Sequence, residues 1–394
     1  MLARLMAATY GITRGRVVGA TTVNSNNENS TSPESEMPDN NNSSKVALNN
    51  DLANNNSSIN KEFINSKCNS NQEEDCAPYR VLGVGSNHKT NEVLVSPAAR
   101  DAKSNVLFFP GDVHDFRANM LSGAFSEFAG FAYENVAEVL TNKFDDCNVW
   151  IVRPAHFHQR AFSCFDNFVD TNEFGAATSY SSAGSAIKHL VALIASVRDT
   201  LQEQGVNLST DLPIHLVGFS KGVIVLNQLI TELAICKREG FKSNNRREAK
   251  LADVSSYHKF FSQARHFLFD TVCSIHWVDG GNGSQRGVVP SDERALSAIH
   301  DLSNARLFVH VTPYQYESVD RPWIKQEIQE FVHKMRRFQV DVRLKMYYDG
   351  EAGSIHSHFQ LLRDFEAQST VSRSKTHSFS SPEHALPHVH IQSL

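Results

Sequence analysis

The chain has 394 residues, 41% hydrophobic and 21% charged, with a net charge of -5. This supplies apolar residues for one large core, and the mildly acidic balance excludes the basic footprint of a nucleic-acid-binding protein. No apolar run reaches the roughly 18 to 20 residues a spanning helix needs, and the cysteines lie far apart without a C-x-x-C pair, which excludes a zinc finger or a disulfide scaffold.

Residues 1–23 are basic through Arg4, Arg14 and Arg16, and no acid precedes Glu28. That composition reads as a mitochondrial transit peptide; Arg14 and Arg16 interrupt the apolar stretch a secretory signal would need. Residues 24–77 form an Asn/Ser-rich tract with too few apolar groups to offset the entropy of ordering, and read as a linker.

From residue 78 to 368 the pattern is that of one folded domain. YRVLGV (79–84) and NEVLVS (91–96) are strand-like and joined by a polar hairpin connection. NVLFFP (105–110) is a third strand, stopped by Pro110-Gly111. Residues 116–140 carry apolar side chains at helical spacing and predict one long helix. A fourth strand, NVWIVRP (148–154), leads into an aromatic-rich stretch with His156 and His158, read as packing under a loop. A helix over 185–205 ends at Gly205, a good C-terminal signal.

The alternation continues with a strand at 213–219, a helix at 221–238, a polar insertion at 239–255 and a helix at 257–272. Strands at 274–280, 306–313 and 342–348 alternate with helices at 291–302, 322–338 and 357–367. The tail, 369–394, is polar; its His384, His388 and His390 lack an acidic or cysteine companion and read as solvated, so no metal or cofactor set is assigned. Two leading strands followed by strand-helix repeats give eight strands in one mostly parallel sheet covered on both faces. With a serine just after the fifth strand, this is the α/β-hydrolase layout.

That serine lies in Gly218-Phe219-Ser220-Lys221-Gly222, a G-x-S-x-G motif between a strand and a helix. In such an elbow the hydroxyl stands above the sheet on a strained turn, and the glycines are required because a Cβ there would meet the neighbouring strand or helix. A serine hydroxyl needs a general base within about 3 Å, and the base needs an orienting carboxylate. The expected order is Ser, acid, His. Asp279 follows the sixth strand and is the preferred acid, with Glu317 and Asp320 behind it. His358, at the entrance to the last helix, is the preferred base, with His356 as the alternative. Backbone N–H groups of Lys221 and of Gly111 or Asp112 are the candidate oxyanion donors. The acidic side chain at Asp112 departs from the usual esterase loop, and the Lys221 side chain is expected to reach solvent or an acid such as Asp112.

The blocks NVLFFPGDVHDF, VWIVRPAHFHQRAFSCFDNFV, HLVGFSKGVIVLNQL, HWVDGG and VTPYQ resemble the animal mitochondrial proteins of the chromosome 2 open reading frame 69 family, over roughly residues 78–366. The resemblance implies an α/β-hydrolase-like fold, a mitochondrial location, with the matrix as the expected compartment, and a link to respiratory function and glycogen metabolism, with a glycogen-branching enzyme as a partner. It supplies no substrate. Two functional readings follow. One is a serine hydrolase acting on a small or lipid-like acyl substrate through Ser220, His358 and Asp279. The other is a hydrolase-shaped binding protein whose elbow is a remnant.

Overall fold

The computed structural model describes residues 78–181, 185–239, 270–300, 302 and 305–367. The expected transit peptide, linker, tail with its histidines and, apart from Glu239, the polar insertion lie outside these residues. So do residues 257–269 of the expected helix at 257–272; of its last three residues, Val272 already belongs to a strand.

The sheet has eight strands: β1 (Tyr79–Val84), β2 (Thr90–Ser96), β3 (Ser104–Phe109), β4 (Cys147–Val152), β5 (Ile214–Phe219), β6 (Val272–Val278), β7 (Arg306–Val311) and β8 (Val342–Met346). Their spatial order is β1-β2-β4-β3-β5-β6-β7-β8. β2 runs antiparallel to both its neighbours; every other pairing is parallel. This order, with the crossover between β3 and β4, is the α/β-hydrolase fold. The central strands β3, β4 and β5 are buried at every position, as strands covered on both faces must be, whereas edge strand β1 alternates.

The helices are α1 (Arg117–Leu121), α2 (Tyr133–Lys143), α3 (Ser185–Glu203), α4 (Val223–Glu239), α5 (Glu293–His300), α6 (Pro313–Tyr316), α7 (Trp323–Arg337) and α8 (Ile355–Asp364). Apolar faces of α3, α4, α5 and α7 share one core with the sheet, through residues such as Leu190, Leu226, Leu296 and Ile328. Where α4 passes the start of α3, buried Glu232 accepts the N–H groups of Ala186 and Ile187 at 2.9 and 2.8 Å, which satisfies orphan donors of that helix end.

The single long helix predicted over 116–140 is not formed. The segment breaks into α1, a 3-10 turn (Ser126–Phe131) and α2; between the turn and α2, Ala132 adopts an extended backbone (ψ 158°). Periodicity reports apolar spacing; it does not report a backbone bend within the run.

Register sets up the site. Phe219 at the end of β5 lies opposite Val278 at the end of β6, and Val278 lies opposite His310 of β7. The residues that follow these strands, Ser220, Asp279 and Thr312, therefore leave the sheet at the same edge.

Candidate active site

The elbow is built by close packing. A Cβ at Gly222 would lie 1.9 Å from the Phe109 carbonyl oxygen of neighbouring β3, and one at Gly218 would lie 2.9 Å from Val223 Cα of α4. Only glycine lets strand, turn and helix approach this closely. Between them Ser220 takes φ 51°, a left-handed conformation that a non-glycine residue adopts at a cost of order 1–3 kcal/mol. Asp279, at the end of β6, is strained in the same way (φ 44°). The two turns are tied together: Gly281 N–H donates to the Ser220 carbonyl at 3.2 Å.

Asp279 is fully buried and its carboxylate is satisfied three times. Thr312 N–H donates to Oδ1 at 2.8 Å, the Thr312 hydroxyl donates to Oδ2 at 2.6 Å, and His358 Nδ1 donates to Oδ2 at 2.7 Å. Hydrogen bonds of this kind make an ionised carboxylate tolerable in the interior.

His358 sits in the first turn of α8, which starts at Ile355, two residues before the apolar pattern over 357–367. Ser354 is the N-cap and forms a reciprocal capping box with Ser357, one residue before the histidine. The imidazole is held between two aromatic rings, Phe219 at 4.6 Å and Tyr314 at 4.9 Å between centroids. Phe219 is the residue before Ser220. With Nδ1 committed to Asp279, Nε2 is the nitrogen left to accept a proton. The Ser220 hydroxyl has no hydrogen-bond partner among the described residues.

The loop after β3 lies directly against the serine. A Cβ on Gly111 would come within 2.6 Å of Ser220 Cβ and 3.1 Å of its Oγ. Neither Gly111 N–H nor Asp112 N–H has a hydrogen-bond partner among the described residues, so both are donors without an acceptor. The Asp112 side chain is engaged elsewhere: its Oδ1 accepts the Ser163 N–H at 2.8 Å and faces Lys221 Nζ at 2.8 Å. Lys221 is 2% exposed; its ammonium also donates to the Phe174 carbonyl at 2.6 Å and lies 5.2 Å from the Phe162 ring centre. Of the two expected outlets for this lysine, the acid is the one taken. Its buried ion pair fastens the elbow to the loop after β3 and to the stretch at 156–175.

Beside this loop His114 is fully buried among the rings of Phe108, Tyr133, Phe219 and Phe359. Burial pushes its imidazole down to about 3, so it is neutral.

The structure thus brings together Ser220, Asp279, His358, Gly111, Asp112 and Lys221. It separates the alternatives: His356 points to solvent on α8, and Glu317 and Asp320 are exposed beyond α6. Sequence reasoning missed Thr312. Its signal was present in the Thr-Pro pair at 312–313, a helix N-cap followed by proline, which also explains why β7 supplies a hydroxyl where an acid was sought: Thr312 accepts the Tyr314 N–H as cap and donates to Asp279.

Comparison with known proteins gives the following. The sequence pattern of the C2orf69 family matches residues 79–211 and 204–341. The chain is similar to the mitochondrial protein C2orf69 homolog of Danio rerio, 28% identical over 313 residues, covering 72% of this chain and 84% of that protein. It is similar to mitochondrial protein C2orf69 of Homo sapiens, 25% identical over 309 residues, covering 65% and 73%. Among solved structures, it is similar to the acylaminoacyl peptidase of Pyrococcus horikoshii at 11% identity and TM-score 0.38, covering 73% of this chain and 40% of that one. A dienelactone hydrolase of Anabaena variabilis is similar at 13% identity and TM-score 0.36, covering 73% and 96%.

Proposed function

The chain belongs to the C2orf69 family, and we propose that it is a mitochondrial serine hydrolase that cleaves an ester, thioester or related acyl bond. One observation carries the reading: a strained serine on a strand-to-helix turn directly follows the phenylalanine whose ring stacks on His358, and that imidazole is anchored through Nδ1 on a buried, triply hydrogen-bonded carboxylate. The mitochondrial assignment is supported by the names of its relatives in fish and human.

In this mechanism Ser220 Oγ attacks the acyl carbon while His358 Nε2 takes its proton. Asp279 holds the ring through Nδ1 and stabilises the imidazolium that forms. The oxyanion meets the N–H of Lys221, the residue after the nucleophile, and an N–H of Gly111 or Asp112. Engagement of the Asp112 carboxylate by Lys221 and Ser163 keeps its charge neutralised beside that pocket. His358 returns the proton to the leaving group, and water repeats the sequence to free the acid. The serine-imidazole hydrogen bond closes when substrate enters, as it often does in sites that are loose when empty.

The partnerless serine hydroxyl favours a second reading, a hydrolase-shaped binding protein. The two part in a turnover assay on the folded chain with a panel of fluorogenic esters and thioesters. Hydrolysis by the wild type that falls about 10⁴- to 10⁶-fold in Ser220→Ala and His358→Ala supports the enzyme. Equal residual rates in wild type and both variants, with the fold intact, would leave the binding reading.

A further inference from the structure

After β4 the chain forms a short antiparallel hairpin, His156–His158 with Phe162–Cys164. His156 and Cys164 are direct register partners, so their side chains share a face. Asp166 follows Cys164 by two residues. One ligating atom from each of His156, Cys164 and Asp166 falls within 4.8 Å of the other two. His156 Nδ1 and Asp166 Oδ2 are 3.4 Å apart.

We propose that His156, Cys164 and Asp166 form a binding site for a divalent transition-metal ion of the zinc class, with water completing the shell. Bonds of about 2.0 to 2.3 Å place the donors of one tetrahedral zinc roughly 3.3 to 3.8 Å apart. The His-Asp pair meets that spacing, and the half-exposed His156 and Asp166 side chains are free at the surface to close the remaining gap of about 1 Å. The other carboxylate oxygen of Asp166 accepts the Thr171 hydroxyl, an outer hydrogen bond of the kind that orients metal-ligating carboxylates. Cys164 is buried, its sulfur closed in by Gly175, where a Cβ would lie 3.1 Å away, while His156 and Asp166 leave an entry from solvent.

One thiolate, one imidazole and one carboxylate select a borderline-soft ion over Mg²⁺ or Ca²⁺, which require oxygen shells. Binding forms a metal–sulfur bond as the S–H bond breaks, and the thiol proton passes to water. Ser163, the neighbour of Cys164 in the strand, faces the other way, donating its N–H to Asp112 and its hydroxyl to the Gly111 carbonyl at 2.7 Å. The metal would therefore clamp the outer face of a hairpin whose inner face grips the loop after β3. The site is independent of the proposed hydrolysis.

The test uses the full chain, stripped with chelator and titrated with Zn²⁺ by calorimetry and with Co²⁺ by absorption. We expect one ion per chain, a thiolate-to-cobalt charge-transfer band, and a higher melting temperature with Zn²⁺. The band is lost in Cys164→Ser. Because that buried change could harm folding, the exposed variants His156→Ala and Asp166→Asn are decisive: each weakens Zn²⁺ at least tenfold with an unchanged melting temperature in the metal-free state. A triple variant of His384, His388 and His390 to Ala binds as the wild type does. No cobalt-thiolate band in the wild type, or Zn²⁺ affinity unchanged in His156→Ala and Asp166→Asn, overturns the proposal.

Discussion

At the scale of single residues, the buried charges are the most informative. Lys221 and Asp112 are a desolvated pair, and removing one partner leaves the other uncompensated. Lys221→Met is expected to destabilise the fold by about 3–5 kcal/mol, whereas Lys221→Met combined with Asp112→Leu recovers much of that loss. Denaturant unfolding of Lys221→Met, Asp112→Leu and the double variant checks this; a double variant as unstable as the sum of the two single ones would contradict it. Thr312 makes a second case. Thr312→Val removes the hydroxyl that donates to Asp279 and keeps the side-chain shape. We expect a loss of about 1.5–3 kcal/mol in stability, together with a fall in turnover of any ester substrate, and rescue of both by Thr312→Ser. The siting of Ser220 and Asp279 was legible because each directly follows a buried strand in a glycine-bounded turn. That of Thr312 was not, since a cap and a carboxylate donor look the same in sequence.

At the scale of elements, a row of histidines crosses the sheet on the face opposite the large core. His215 of β5 bonds Ser274 of β6 at 2.7 Å, Ser274 bonds His276 at 2.9 Å, His276 bonds His310 of β7 at 3.2 Å, and His310 bonds the Tyr347 hydroxyl at 3.1 Å. Each imidazole can donate from one nitrogen and accept at the other, so the row is satisfied only while its members are neutral. Burial pushes His310 down to about 3 and His215 to about 4, and holds His276 well below its ordinary value of 6.5. In the unfolded chain these groups bind protons below about 6.5. The unfolded state therefore carries more protons between there and about pH 4, and stability falls as pH falls through that window, by about 1.4 kcal/mol per pH unit for each group. Above about pH 6.5 the row contributes no pH dependence. Unfolding free energies measured at pH 7.5, 6.5 and 5.5 check this; a flat profile down to pH 5.5 would contradict it. Strand patterning located these histidines but could not show that they line up, because alignment depends on register between strands far apart in sequence. At α8 the apolar pattern placed the start at 357, two residues late, and the Ser354 cap shows that the helix begins at Ile355, with His356 in its first turn facing water.

At the scale of the whole molecule, the eight-strand count, the mostly parallel sheet and the position of the elbow were all present in the alternation of apolar runs, since buried parallel strands leave an unbroken signature. The bend at Ala132 escaped because the segments on both sides of it bury apolar residues, Phe128 and Phe131 before it and Val136 and Leu140 after it. The account rests on one assembly: Ser220, His358 and Asp279, delivered by three segments that meet at one edge of the sheet. The most direct measurement is intact-mass analysis of the folded chain after reaction with a fluorophosphonate, followed by peptide mapping. The account predicts a single adduct on Ser220, absent in Ser220→Ala and formed far more slowly in His358→Ala. A folded wild-type chain that takes up no label, or one labelled equally well after Ser220→Ala, would contradict it.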